Sequence, residues 1–312
     1  MQTNDAFLDR IRELNASIQI RPALADDAKP FTELMNRQYR RKKTEDYFYW
    51  QFINFSNPTR LFVAYDKNLL VGCYGIQLHR LSNSALCGFA IDLLIREEYR
   101  NRALLVLFEE TARQYAREKG AEAIASLPNY AGMRAHTLLK NWNHIGTVMT
   151  YTLEGAEIRE KNVGPDRDNA EGEFIYFSKS TDYRKWRYEM NPEYEYDSIK
   201  LTTGEYAFTK IFKDPVTGRN YGDIVDFECS FHDRRKMREL FWEACNNLCS
   251  RKVEIITTWA LPHTPVCAIV ESLGFTQTPP ERYFCFKALT PGKDEMYDYT
   301  RWHLVQADSE IY

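Results

Sequence analysis

The sequence predicts a mixed α/β protein made of two halves of the same plan. Three observations carry that expectation. Strand-like and helix-like segments alternate along the whole chain. A set of landmarks recurs in the same order at nearly one spacing. Between the two sets lies a Gly/Asp/Asn-rich stretch from Gly155 to Gly172, which reads as a linker. The domains are therefore expected at 1–155 and 172–312, joined by 156–171.

In the first half, Ile18-Gln-Ile-Arg21 reads as a strand, and Asp26-Asp27 with Pro30 opens a helix through Tyr39. Leu61 to Tyr65 and Leu69 to Leu78 flank Asp66-Lys-Asn68, a hairpin signature. Ala90-Ile-Asp-Leu-Leu-Ile95 reads as a buried strand that feeds a basic turn carrying Arg100 and Arg102. A helix is expected from about Ala103, since Leu104, Leu105, Leu107, Phe108, Ala112 and Tyr115 recur at helical spacing and Gly120 supplies the stop. The next strand, Ala121 to Leu127, ends in Pro128-Asn129-Tyr130, and a second helix runs to about Asn141.

The landmarks then repeat. Tyr47-Phe-Tyr-Trp50 with Asn57-Pro58 returns as Tyr183-Arg-Lys-Trp186 with Asn191-Pro192, the tryptophans 136 residues apart. Gly88-Phe-Ala-Ile-Asp92 returns as Gly222-Asp-Ile-Val-Asp226 at an offset of 134, and Leu139-Lys-Asn-Trp142 as Leu273-Gly-Phe275 at 133. Single matches are common by chance; an ordered set implies duplication. The second half reads as helix 182–190, strands near 205–212 and 224–229, helix 233–247, strand 253–259, helix 264–273 and strand 282–289. Its turn, Ser230-Phe-His-Asp-Arg-Arg-Lys236, has no glycine and holds an acid, as an ordinary helix cap with Asp233 near the N-cap would.

Composition narrows the class. Hydrophobic content of 44% with 27% charged residues is that of a globular protein, and no run reaches the ~18 apolar residues of a membrane span. Met1-Gln-Thr-Asn-Asp5 is not a signal peptide. A net charge of −3 argues against general nucleic-acid binding. The seven cysteines are odd in number and scattered, the usage of a reducing cytoplasm. Cys245 and Cys249 have no paired Cys or His pattern, so no metal is expected.

A strand, a basic turn and a helix N-terminus together make a natural phosphate seat, because free N–H groups and a partial positive charge point out of the helix. Arg100-Asn101-Arg102-Ala103-Leu104-Leu105 in that setting resembles the acyl-CoA-binding turn of the GNAT N-acyltransferase superfamily, Arg/Gln-x-x-Gly-x-Gly/Ala. Ala103 and Leu105 stand where that family usually has small glycines. Ala103 is expected to cost little at a helix start. The resemblance covers Ile18 to Leu153 and, more weakly, Phe174 to Leu289. It implies two tandem GNAT-like domains, each a mixed, mostly antiparallel sheet flanked by helices. Trp50 with Asn57-Pro58, the Leu127-Pro128-Asn129 strand end and Trp302-His303…Asp308-Ser-Glu-Ile-Tyr312 are similar to a tandem-domain branch linked to bacterial surface polysaccharides.

The resemblance implies an acyl-CoA co-substrate and no metal. Leu93, Leu94 and Ile95 would bind the pantetheine arm through their backbones; Arg100, Asn101, Arg102, Ala103 and Leu104 would surround the pyrophosphate; Asn129 would meet the arm from the next strand. Asp92 (orienting or deprotonating the amine), Tyr130 and His136 are the catalytic candidates, and Trp50, Asp226, Trp259 and His263 the acceptor-binding ones. Each of these also has a bland reading as core or surface. The implied reaction is direct attack of an amine on the thioester, the acceptor being a dTDP-linked amino sugar and the acyl group acetyl or 3-hydroxyacyl. A GNAT enzyme with another amine acceptor, or a non-catalytic ligand-binding tandem, is the alternative. The expected setting is cytoplasmic, without nucleic acid or membrane span and with room for a homodimer.

Overall fold

The computed structural model describes residues 5–39, 42–54, 59–138, 142–154, 173–280 and 282–309. The Asn57-Pro58 landmark, Leu139-Lys140-Asn141, the linker and Glu310–Tyr312 lie outside the described residues. Among the described residues no helix is long and apolar enough to cross a membrane.

The first half lays its strands side by side in chain order: β1 (Ile18–Pro22), β2 (Thr59–Asp66), β3 (Leu69–Arg80) and β4 (Leu86–Ile95), each antiparallel to the last. β5 (Ala123–Ser126) then joins β4 in parallel. A parallel step needs a crossover, here α4 (Leu104–Glu118), whose Leu104, Phe108, Ala112 and Ala116 lie on Tyr74, Ile76 and Ile124. On the other face sit α2 (Ala28–Gln38) and α3 (Glu45–Phe48), the latter running into a π-turn at Tyr49–Ile53. The helix α1 (Asp5–Leu14), which no sequence signal marked, covers α4 through Leu8, Ile11 and Val106.

The second half repeats this plan. α6 (Thr181–Arg184) runs into a π-turn at Lys185–Glu189, so the expected helix 182–190 is a single turn followed by a wider coil. β7 (Tyr196–Lys200), β8 (Tyr206–Lys213) and β9 (Asn220–Glu228) are antiparallel neighbours; α7 (Arg234–Ser250) leads to β10 (Ile255–Ala260), parallel to β9. After α8 (Pro265–Ser272) come the short β11 (Thr276–Gln277) and β12 (Arg282–Ala288).

The last strand of each half then crosses to the other. α5 (Tyr130–Leu138) leads to β6 (Asn143–Glu154), which pairs with β10 of the second half, and β12 pairs with β5 of the first. β6 and β12 also pair with each other, giving one sheet in the order β1-β2-β3-β4-β5-β12-β6-β10-β9-β8-β7 with β11 beside β6. Val148 faces Arg282 across this seam, 134 residues apart, the offset that relates Asp92 to Asp226. A pseudo-twofold axis therefore passes through the seam. Gly146 on β6 admits the ring of Tyr299, which a Cβ there would meet at 2.2 Å.

The repeated tryptophans sit on that symmetry. Trp50 and Trp186 stack with ring centroids 4.5 Å apart and planes 11° off parallel. The indole N–H of each donates to the other's backbone carbonyl at 3.0 Å. Trp50, expected to bind the acceptor, is instead buried among the described residues as a structural clasp between the halves. Trp50→Ala and Trp186→Ala should each destabilise by about 3–5 kcal/mol. The double variant should cost less than the sum by about 1 kcal/mol, the coupling of the stack, as read by denaturant unfolding.

Candidate active site and its counterpart in the second half

β4 does not run straight. Between Cys73↔Leu94 and Gly75↔Ile91 the register shifts, so Asp92 and Leu93 together face one residue of β3. Asp92 takes φ +48° at this bulge. A bulge bends a strand and turns backbone groups out of the ladder, which is what an amide must do to meet a bound carbonyl. β9 carries a bulge close to the matching place: Phe208 pairs with Asp226 and Thr209 with Ile224, leaving Val225, the residue before the aspartate, extra. Each repeated Asp thus stands at or beside a bulge, but Asp92 alone of the two takes positive φ.

Both aspartates are buried and both accept a tyrosine hydroxyl. Tyr47 donates to Asp92 at 3.1 Å and Tyr188 to Asp226 at 2.5 Å. Burial, then the neighbouring carboxylate, holds the Tyr188 phenol well above its usual range. The thiol of Cys73 donates to the Asp92 carbonyl at 3.4 Å. Asp226 is further paired with Lys179 at 3.1 Å, and Lys179 with Asp308 at 2.9 Å. Burial alone would lower the lysine, but the two carboxylates outweigh it and hold it raised.

Beyond the bulge, Arg96 fixes the chain by donating from its side chain to the Leu70 carbonyl at 2.6 Å and from its backbone to Val71. Glu97–Arg102 then winds as a 3₁₀ turn, and α4 starts at Leu104, one residue later than expected. Arg100 and Asn101 are exposed; Arg102 stacks on Tyr99 at 4.7 Å, and its carbonyl accepts from Asn15 at the end of α1. Ala103 takes φ +55° in the left-handed region. The expectation that alanine would cost little here is thus corrected: the family's glycine position still demands positive φ, which costs an L-residue about 1 kcal/mol or more. In the second half this turn is absent. α7 is capped by Asp233, whose carboxylate accepts from the Lys236 N–H at 3.0 Å, so an anion already occupies the helix N-terminus.

The other candidates are spread out. Asn129 is exposed at the end of β5 and accepts from Gly132 N–H at 2.9 Å. Tyr130 is 58% exposed, with its ring 5.8 Å from Tyr283. His136 is turned inward: its Nδ1 lies 2.6 Å from Glu109, which also accepts from Trp142 at 2.9 Å. That buried network ties α5 to α4 and gives the imidazole no path to a substrate. Trp259 is fully buried in the core beneath Trp302 and Phe284. His263 lies 2.9 Å from the Trp302 carbonyl, and burial lowers its pKa. Tyr47, Tyr188, Lys179, His303 and Asp308 were not among the candidate site residues, although Tyr47 stood in the repeated aromatic motif and His303 and Asp308 in the closing Trp302-His303…Asp308 motif.

Residues 27–140 match the model of the Acetyltransferase (GNAT) family. No curated protein matches the chain in sequence. Among solved structures, it is similar to the GCN5-related glucosamine N-acetyltransferase region of a fungal multi-domain GH3 β-N-acetylglucosaminidase (TM-score 0.57, 15% identity, 86% of this chain covered). The chain spans 38% of that protein's length. A GCN5-related N-acetyltransferase from Kribbella flavida follows at TM-score 0.56 and 11% identity, covering 87% of this chain and 71% of that one. A tandem GNAT protein from the clavulanic acid biosynthesis pathway aligns over 88% of this chain and 99% of that one, at TM-score 0.51 and 12% identity. At such identities the likeness is one of fold.

Two measurements test the local physics. Ala103→Gly should relieve the left-handed strain and stabilise by about 0.5–1 kcal/mol, seen as a raised denaturation midpoint. Burial pushes His79 and His303 down to about 3. The folded state keeps both neutral while the unfolded chain takes protons below about pH 6.5, so stability falls as pH drops from there toward 3. Replacing His303 with Gln should reduce that slope by about 1.4 kcal/mol per pH unit in unfolding titrations. The match of residues 27–140 to the Acetyltransferase (GNAT) family and the likeness of the whole fold to a tandem GNAT protein thus agree on a fold of two tandem GNAT-like halves.

Proposed function

We propose that the first half holds the acyl-CoA donor and that the acylated group is the amine of a nucleotide-linked amino sugar. The observation that carries the donor assignment is the bulge at Asp92 followed by the basic turn and its left-handed Ala103. Arg100 and Arg102 are exposed to meet a pyrophosphate, and the backbone of Leu93–Ile95 runs beside the arm that leads from it. A structural neighbour that is a glucosamine N-acetyltransferase region supports an amino sugar as the acceptor class. The dTDP carrier and the polysaccharide pathway rest on the motif resemblance alone. All seven cysteines are free thiols, in keeping with a reducing compartment.

In this reading the amine nitrogen forms a bond to the thioester carbonyl carbon and the carbon–sulfur bond breaks. The Leu93 amide stabilises the oxyanion. Asp92, oriented by Tyr47, takes the proton that the amine loses. The thiolate is reprotonated from water or from Tyr130 at the rim. His136, Trp50 and Trp259 have no part in this scheme.

The test is thiol release by the full chain from acetyl-CoA or a 3-hydroxyacyl-CoA in the presence of dTDP-amino sugars. Turnover with other amines alone would discard the acceptor, and no coenzyme A binding would discard the donor site. Arg100→Glu should weaken coenzyme A binding by ~2 kcal/mol in calorimetry, through loss of a charge-assisted contact and added repulsion. Asp92→Asn should leave that affinity in place and lower kcat by about 10²–10⁴.

A further inference from the structure

A cavity of about 590 Å³ opens at the end of β9, between Ser82-Asn83, the segment 173–179 and the closing segment 301–305. None of residues 92–104 lines it, so it is separate from the donor turn. Its size suits a small ligand. Three features define what it would take. The charges on its wall balance: Lys179, Arg184 and Arg301 against Glu173, Asp226 and Glu228. Several are tied in pairs, Lys179 with Asp226 and Arg184 with Glu228. Such a wall attracts neither a polyphosphate nor a polyamine, but offers strong donors and acceptors side by side.

The second feature is His303. It is 6% exposed, lines the cavity, and its Nδ1 has no hydrogen-bond partner. An unsatisfied buried nitrogen costs about 1–3 kcal/mol, which a ligand hydroxyl would relieve whether it donates or accepts. The third is the aromatic lining, to which Phe174, Tyr176, Phe177 and Phe231 contribute. The depth of the cleft is limited by the chain itself. Val305 packs on Val225 of β9 and Gln306 donates to Thr257 of β10 at 2.9 Å, so the closing segment occupies the gap between those strands.

We propose that this cavity binds a neutral sugar ring, as a site distinct from the one where acyl transfer occurs. Hydroxyl groups are both donors and acceptors, which matches the paired charges and the unsatisfied imidazole, and the C–H faces of a pyranose match the aromatic walls. The proposal stands whichever amine the first half acylates.

The experiment is calorimetric titration of the full chain with D-glucose, D-galactose and N-acetylglucosamine, with spermidine and inorganic pyrophosphate as charged probes and coenzyme A as an independent control. At least one neutral sugar should saturate in the millimolar range expected of so small a ligand. His303→Phe and Tyr176→Ala should each weaken it about tenfold, with coenzyme A affinity unchanged. Tyr176 is 41% exposed, so its variant keeps the test decisive if the buried histidine cannot be replaced. The proposal falls if no neutral sugar saturates, if only spermidine or pyrophosphate does, or if both variants bind sugar like the parent. Loss of coenzyme A binding in the parent would count against the donor site alone.

Discussion

The exchange of final strands between the halves is the constraint on which the rest of the structure depends. Without β12, the edge of β5 would expose unpaired N–H and C=O groups in the middle of the molecule, and without β6 the same would hold for β10. Each half thus satisfies the other's backbone. The pairing of β6 with β12 then makes a continuous sheet, and the apolar layer formed by Phe89, Phe284, Phe286, Trp259 and Trp302 spans both halves. The Trp50–Trp186 clasp repeats this reciprocity in side chains. Two reciprocal devices on one axis leave little freedom for the halves to move against each other.

Within that frame the halves have diverged. Both keep a bulge at or beside the repeated aspartate, and both aspartates hold a tyrosine hydroxyl. The first half kept a basic turn with a left-handed residue; the second put a carboxylate on the helix N-terminus. The second half borders an open cavity beside Asp226, and the residues around Asp92 take no part in lining it. A duplicated scaffold has left a basic turn in one copy and an open cavity beside the other.

Much of this was legible in the sequence. The 3.6-residue period of α4, the hairpin at Asp66–Asn68 and the order of repeated landmarks placed most strands and helices and the bulge aspartates. Partner choice was not legible: β6 and β12 have the same pattern whether they pair within a half or across, because period-2 burial fixes a face and not a neighbour. π-turns leave no composition signal, so the 182–190 stretch read as one helix. His136 was misplaced because helical spacing says which residues share a face, not that Glu109 waits beneath it. Lys179 escaped notice because an isolated residue in an irregular segment has no period to reveal it, and His303 stood in a quoted motif that carried no hint of its burial.

The strand exchange also bears on how the protein is made. Ser126 pairs with Cys285, 159 residues further along the chain. During synthesis the first half therefore emerges with an open sheet edge, which stays open until β12, more than 150 residues later, has also left the ribosome. Contacts of such long sequence separation form slowly, and an exposed edge invites pairing with other chains. The nascent first half is thus the stage at which a chaperone matters most, and the order of translation, more than the final fold, sets the window in which this protein can go astray.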